Sequence, residues 1–106
     1  ERFYHGFVLG LIVELAGRYR ILSNRESGFG RYDVMLEPLG QSDMAFVLEF
    51  KVFDPDEEET LADTLKAAHL QMEKKAYDTE LAARGILGSR IRHYGFAFAG
   101  KTVLIG

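Results

Sequence analysis

The chain has 106 residues, of which 47% are hydrophobic and 27% charged, a size and balance that fit one compact domain and exclude a disordered tail or a collagen-like repeat. It contains no cysteine, which removes a disulfide scaffold, a thiolate zinc site and a cysteine nucleophile, and fits a reducing cytoplasm. The formal net charge of −3 speaks at first against a partner dominated by phosphate.

Residues 2–16 place Phe3, Phe7, Leu11 and Leu15 four apart, an amphipathic stripe that predicts a first helix ending near Gly17. Residues 19–23 and 31–37 read as two strands of an antiparallel hairpin around the polar, glycine-rich loop 24–30. Residues 45–53 (AFVLEFKVF) form a third strand whose near-continuous apolar character predicts cover on both faces and a central place. Asp54, Pro55 and the acids Asp56 to Glu59 predict the start of a second helix, with Asp54 as cap and the carboxylates facing the positive end of the dipole. That helix is expected to run to about Arg84, with Leu61, Leu65, Ala68 and Met72 on one stripe and Gly85 closing it. Residues 91–98 and 102–105 follow as two strands joined by a tight turn at Ala99-Gly100-Lys101. The expected class is α/β, in the order α-β-β-β-α-β-β, as a single domain over 1–106. No apolar run approaches the ~20 residues that span a bilayer, so no membrane partner is expected. The chain opens on Glu1 rather than a methionine, so it is expected to be a fragment of a longer polypeptide.

Side chains alternate along a strand, so Glu49 and Lys51 share one face of the third strand while Leu48, Phe50 and Val52 occupy the other. Asp33, in the preceding strand, comes beside Glu49 if the two strands pair. Two carboxylates ~4 Å apart at an effective dielectric of ~20 repel by about 4 kcal/mol, and a divalent cation relieves that repulsion. Oxygen donors without histidine or cysteine favour Mg²⁺ or Mn²⁺ over zinc. The alternative is a structural ion pair, although burying charge in an apolar strand is costly. A second acid-x-Lys copy, Glu73-Lys74-Lys75, falls on a helix, where residues two apart do not face each other, and reads as a solvated surface.

Asp33, fifteen residues, Glu49, one residue, Lys51: this arrangement resembles the PD-(D/E)XK nuclease superfamily. The runs SNRESGFGRYDVML (23–36), VLEFKVF (47–53) and YGFAFAGKTVLI (94–105) look like the bacterial nuclease-like domain found at the C-terminus of AAA-type ATPase-like proteins. The resemblance extends over essentially the whole chain and implies a restriction-endonuclease-like core, a central mixed sheet flanked by helices. It implies that Asp33 and Glu49 bind the metal, and that Lys51 orients the attacking water or stabilises charge developing on the phosphate. The implied reaction is metal-assisted hydrolysis of nucleic acid, DNA before RNA. In many members a glutamate on the first helix completes the acidic cluster; Glu1 sits at the matching place, with His5 on its face and Glu14 as a rival. Gln71 resembles the glutamine that follows the lysine in helicase-associated relatives. There a tyrosine comes four residues later; here Lys75 holds that offset and Tyr77 lies two further on, so Gln71 and Lys75 are expected to meet substrate phosphate or else to form an ordinary polar helix face. The superfamily's proline before the aspartate is replaced by Tyr32. An ATPase-like domain, fused or associated, is the implied partner, and a homodimer stays open. A catalytically silent nuclease-fold module that regulates such an ATPase is the alternative reading.

The loop Asn24 to Arg31 carries Arg25, Arg31 and two glycines, a composition that lets backbone approach a nucleic-acid phosphate and equally suits a plain hairpin loop. Gly95 to Thr102 matches G-x-x-x-x-G-K-[ST] letter for letter, but that loop must precede a helix, and here its interior is apolar and strand-like. His5, His69 and His93 show no metal-ligand spacing, and His69 and His93 are expected as surface residues. The net charge also divides unevenly. Residues 36–60 hold one basic and eight acidic residues, while twelve basic outnumber eight acidic residues elsewhere. A basic face is therefore compatible with the acidic total, with modest nucleic-acid affinity.

Overall fold

The four-residue stripe of the N-terminal segment forms α1, Arg2–Leu15, in a computed structural model that describes residues 2–26, 31–40, 43–75 and 77–106. Three strands follow: β1, Tyr19–Glu26; β2, Arg31–Pro38; and β3, Ala45–Val52. After them come α2, Leu61–Lys75, and α3, Tyr77–Ala83, on either side of residue 76, which lies outside the described residues. A short 3₁₀ turn at Gly88–Arg90 leads into β4, Ile91–Ala99, and β5, Thr102–Ile105.

The strands form one sheet in the order β1-β2-β3-β4-β5. The β3–β4 pair is parallel and the others are antiparallel, so the α/β class with a mixed sheet flanked by helices holds. β3 is central, and only its second and last residues escape full burial. No helix among the described residues is long and apolar enough to cross a membrane.

Alternation along β2, β3 and β4 sends two sets of side chains to opposite sides. Val34, Leu36, Leu48, Phe50, Phe96 and Phe98 pack under α1 with Val8, Phe7 and Leu11. Met35, Val47 and Ile91 pack on the other side with Met72 of α2 and Leu81 of α3. Over β4, α2 approaches closely at Gly95, where an added Cβ would lie 2.7 Å from Leu65 Cδ1 and 3.4 Å from Ala68 Cβ. That glycine pairs in register with Glu49, so it sets how near α2 comes to the level of the acidic pair.

Two local expectations change and a third holds. The first strand continues through Asn24, Arg25 and Glu26, because their backbones pair with Asp33, Tyr32 and Arg31 despite their polar side chains. The second helix starts at Leu61 rather than Pro55. Asp54 instead caps a tight turn, accepting the Asp56 amide at 3.0 Å. The helix is opened by a reciprocal capping box: Asp63 N–H donates to Thr60 Oγ1 at 3.3 Å, and Thr60 N–H donates to Asp63 Oδ2 at 3.2 Å. Finally, the Gly95–Thr102 segment is the β4–β5 hairpin, turning at Gly100 with φ +59°, and no helix follows it to hold phosphate.

Candidate active site

Antiparallel pairing of β2 with β3 sets Asp33 directly opposite Glu49, an arrangement that brings Cβ atoms to within about 4.5–5.5 Å. Both are almost fully buried, at 2% and 1% exposure. Lys51, two residues on from Glu49 on the same strand face, is also buried. All three project to the α2 side of the sheet, whereas Phe50, between Glu49 and Lys51, projects to the α1 side.

Two basic groups complete the arrangement. Lys75, in the last turn of α2, donates from Nζ to Asp33 Oδ2. Gln71 stands one turn earlier on the same helix, half-buried. Lys51 Nζ donates to Glu58 Oε2 at 2.7 Å, with side-chain exposures of 8% and 7%. The other Glu58 oxygen accepts the Asp54 amide at 2.9 Å and the Thr64 hydroxyl at 2.8 Å. Beside this pair opens a cleft of about 690 Å³ whose lining includes Lys51, Glu58, Asp63 and Lys66.

Burial opposes ionisation of Glu58, but the hydrogen bonds from the Lys51 ammonium, the Asp54 amide and the Thr64 hydroxyl outweigh it and hold the carboxyl below its ordinary value. A carboxyl depressed in the native state contributes stability above its unfolded value of 4.5 and loses it as pH falls through the lower native value. The groups facing it are Lys51 from β3, Asp54 from the preceding loop and Thr64 from α2; Glu57, Glu59, Asp63 and Lys66 line the adjoining cleft. Urea titrations should therefore show the stability difference between wild type and Glu58→Gln widest near about pH 6.5 and shrinking below about pH 4.5. A gap that is constant over that range would contradict the depressed carboxyl.

Asp33, Glu49, Lys51, Gln71 and Lys75 thus lie where strand alternation and helix spacing put them, on facing elements. Lys75, expected at substrate phosphate, pairs with Asp33. Glu1 lies outside the described residues, as do the side chains of His5, Arg25 and Arg31. Glu58 and Thr64 were not among the expected site residues, because Glu58 was assigned to a helix N-terminus. The Thr60-x-x-Asp63 capping box was the available signal, since it moves the helix start past Glu58. The remaining histidines find local partners: His69 Nε2 lies 2.8 Å from the Gly106 carbonyl oxygen, and exposed His93 pairs with Asp78 at 2.6 Å.

Residues 1–106 match the family model of the PD-(D/E)XK nuclease superfamily. The chain belongs to that superfamily. Among curated proteins and solved structures, none matches it. Members of the superfamily generally depend on a divalent metal. Among the described residues no group of three His, Asp or Glu side chains is arranged to hold a metal ion. The donors that are described, two carboxylates opposed across a strand pair, suit a hard divalent cation in kind.

Proposed function

We propose that residues 1–106 form a nuclease domain that hydrolyses phosphodiester bonds of nucleic acid, DNA before RNA, with Mg²⁺ or Mn²⁺. The observation that carries this reading is the register: Asp33 opposite Glu49, with Lys51 next on the same buried face. Asp33 and Glu49 would hold the cation, with Glu1 as a further donor. The cation, when bound, supplies Lewis-acid polarisation and a more acidic water. Lys51 places a positive charge beside the phosphate as negative charge develops there. Gln71 and Lys75 on α2, and Arg25, Arg31 and His5, are assigned to the substrate's phosphates.

The decisive assay incubates linear, circular and single-stranded DNA with the protein and either metal. Cleavage is expected only with metal, and Lys51→Ala is expected to lower it about a hundredfold, the usual effect of losing one group that stabilises transition-state charge. Cleavage that survives Lys51→Ala unchanged would refute the assignment.

One observation favours a second reading, a silent nuclease-fold module that regulates an associated ATPase-like protein. Both Lys51 and Asp33 are engaged in internal ion pairs, with Glu58 and Lys75. Nucleic-acid binding without cleavage under either metal would select it.

A further inference from the structure

The site contains a carboxylate that the superfamily's acid and acid-x-Lys pattern does not include. We infer that Glu58 is a positioning residue, whose carboxylate fixes the Lys51 ammonium where the reaction needs it; this rests on the nuclease reading above. Three segments converge on Glu58. Lys51 Nζ of β3 reaches Oε2 at 2.7 Å, while the Asp54 amide of the loop and the Thr64 hydroxyl of α2 both reach Oε1, at 2.9 and 2.8 Å. Each oxygen is therefore assigned, and rotation of the carboxylate would break bonds on both sides.

The anchors themselves are fixed. Thr64 is fully buried and lies in the first turn of α2, next to the capping box that starts the helix. Asp54 lies two residues past the end of the strand that carries Lys51, and the intervening Phe53 amide donates to the Phe98 carbonyl at 2.7 Å, tying this stretch to β4. A lysine on four methylenes otherwise samples many rotamers, and a buried ion pair of this kind is a poor source of net stability compared with apolar packing. What the pair does supply is a single place for the ammonium, at the wall of an open cleft that Lys51 and Glu58 both line. Its role parallels the carboxylates that orient metal-bound histidines, where loss of the orienting group costs 10–100-fold in function.

The test is steady-state cleavage of linear DNA with Mg²⁺ by Glu58→Gln, an isosteric change. The expected result is a fall in kcat of about tenfold to a hundredfold with KM little changed, and a Mn²⁺-induced rise in melting temperature equal to that of wild type. The double variant Lys51→Ala/Glu58→Gln should lose no more than Lys51→Ala alone, because the two residues act as a unit. An unchanged kcat, or losses that multiply fully in the double variant, would overturn the inference. Thr64→Val, which removes one anchor and keeps the carboxylate, should give a smaller fall in the same direction, and it serves if Glu58→Gln does not fold. Acetylation of lysines by an amine-reactive reagent, mapped by mass spectrometry, supplies a readout independent of cleavage. Lys51 should react slowly in wild type and about tenfold faster in Glu58→Gln, since losing the charged hydrogen bond to Glu58 lets the buried amine leave its place and meet the reagent. Equal labelling would overturn the Glu58 contact, whereas a wild type that cleaves nothing would overturn the nuclease reading alone.

Discussion

Replacing Lys75 with methionine is expected to lower the stability of the metal-free protein by about 3–5 kcal/mol, the cost of removing one partner from a buried ion pair. Asp33 is 2% exposed and receives the Lys75 ammonium, and it stands opposite Glu49 in the strand register. Methionine preserves the length and apolar stem of lysine while deleting the charge, so packing changes little. The Asp33 carboxylate left behind is buried opposite Glu49 without that ammonium, which costs free energy. The double variant Lys75→Met/Asp33→Asn should recover much of the loss, because it removes both members of the pair together. The variant also bears on metal binding. If the ammonium and a divalent cation compete for Asp33, Mn²⁺ should raise the melting temperature of Lys75→Met more than that of wild type, since a ligand bound only to the native state stabilises by mass action. Urea titration and thermal melting with and without Mn²⁺ measure both effects. A variant as stable as wild type, with the same response to Mn²⁺, would show that Lys75 is not the counter-ion of this site.

The acidic pair was legible in the sequence because strand alternation has a period of two and leaves no choice of face. Glu49 and Lys51 share a side of any strand that contains both, and the apolar character of residues 45–53 put that strand at the centre of the sheet. Asp33 needed one further fact, the register of β2 on β3, which side-chain patterning restricts but does not number. The position of Lys75 on the helix face was legible from the one-turn offset to Gln71. Its pairing with Asp33 was not, since that depends on how closely α2 lies on the sheet, a distance set by contacts such as Gly95 with Leu65 and Ala68. Glu58 was hidden by an explanation that was locally sound. Asp54-Pro55 followed by four acids is a good helix opening on propensity alone. In the folded chain Asp54 closes a turn and Thr60 takes over the cap, which leaves Glu58 outside the helix and turned toward Lys51. A cap decides between neighbouring starts by about 1 kcal/mol, too small a margin to settle without the tertiary contacts that Glu58 makes.

Phe50→Ala is expected to remove about 3–5 kcal/mol of stability, and to do so without a specific effect on the chemistry. Phe50 is fully buried. Its ring centroid lies 4.8 Å from that of Phe96, 6.3 Å from Phe98 and 6.4 Å from Tyr32. It stands between Glu49 and Lys51 in sequence but on the opposite side of the sheet, in the cluster that α1 covers with Val8, Phe7 and Leu11. Truncation leaves a void that three rings on strands cannot easily collapse into, because each is held by its own backbone pairing. A domain of this size has only about 5–15 kcal/mol in total, so the variant should lose a large part of its margin. Phe50→Leu, which keeps much of the volume, should cost clearly less. The contrast with Lys51→Ala separates scaffold from site. Phe50→Ala should move the urea midpoint strongly while cleavage per folded molecule stays near wild type, whereas Lys51→Ala should lower cleavage per folded molecule. A midpoint shift worth less than about 1 kcal/mol would mean that the aromatic face is not the close-packed support of the acidic strand.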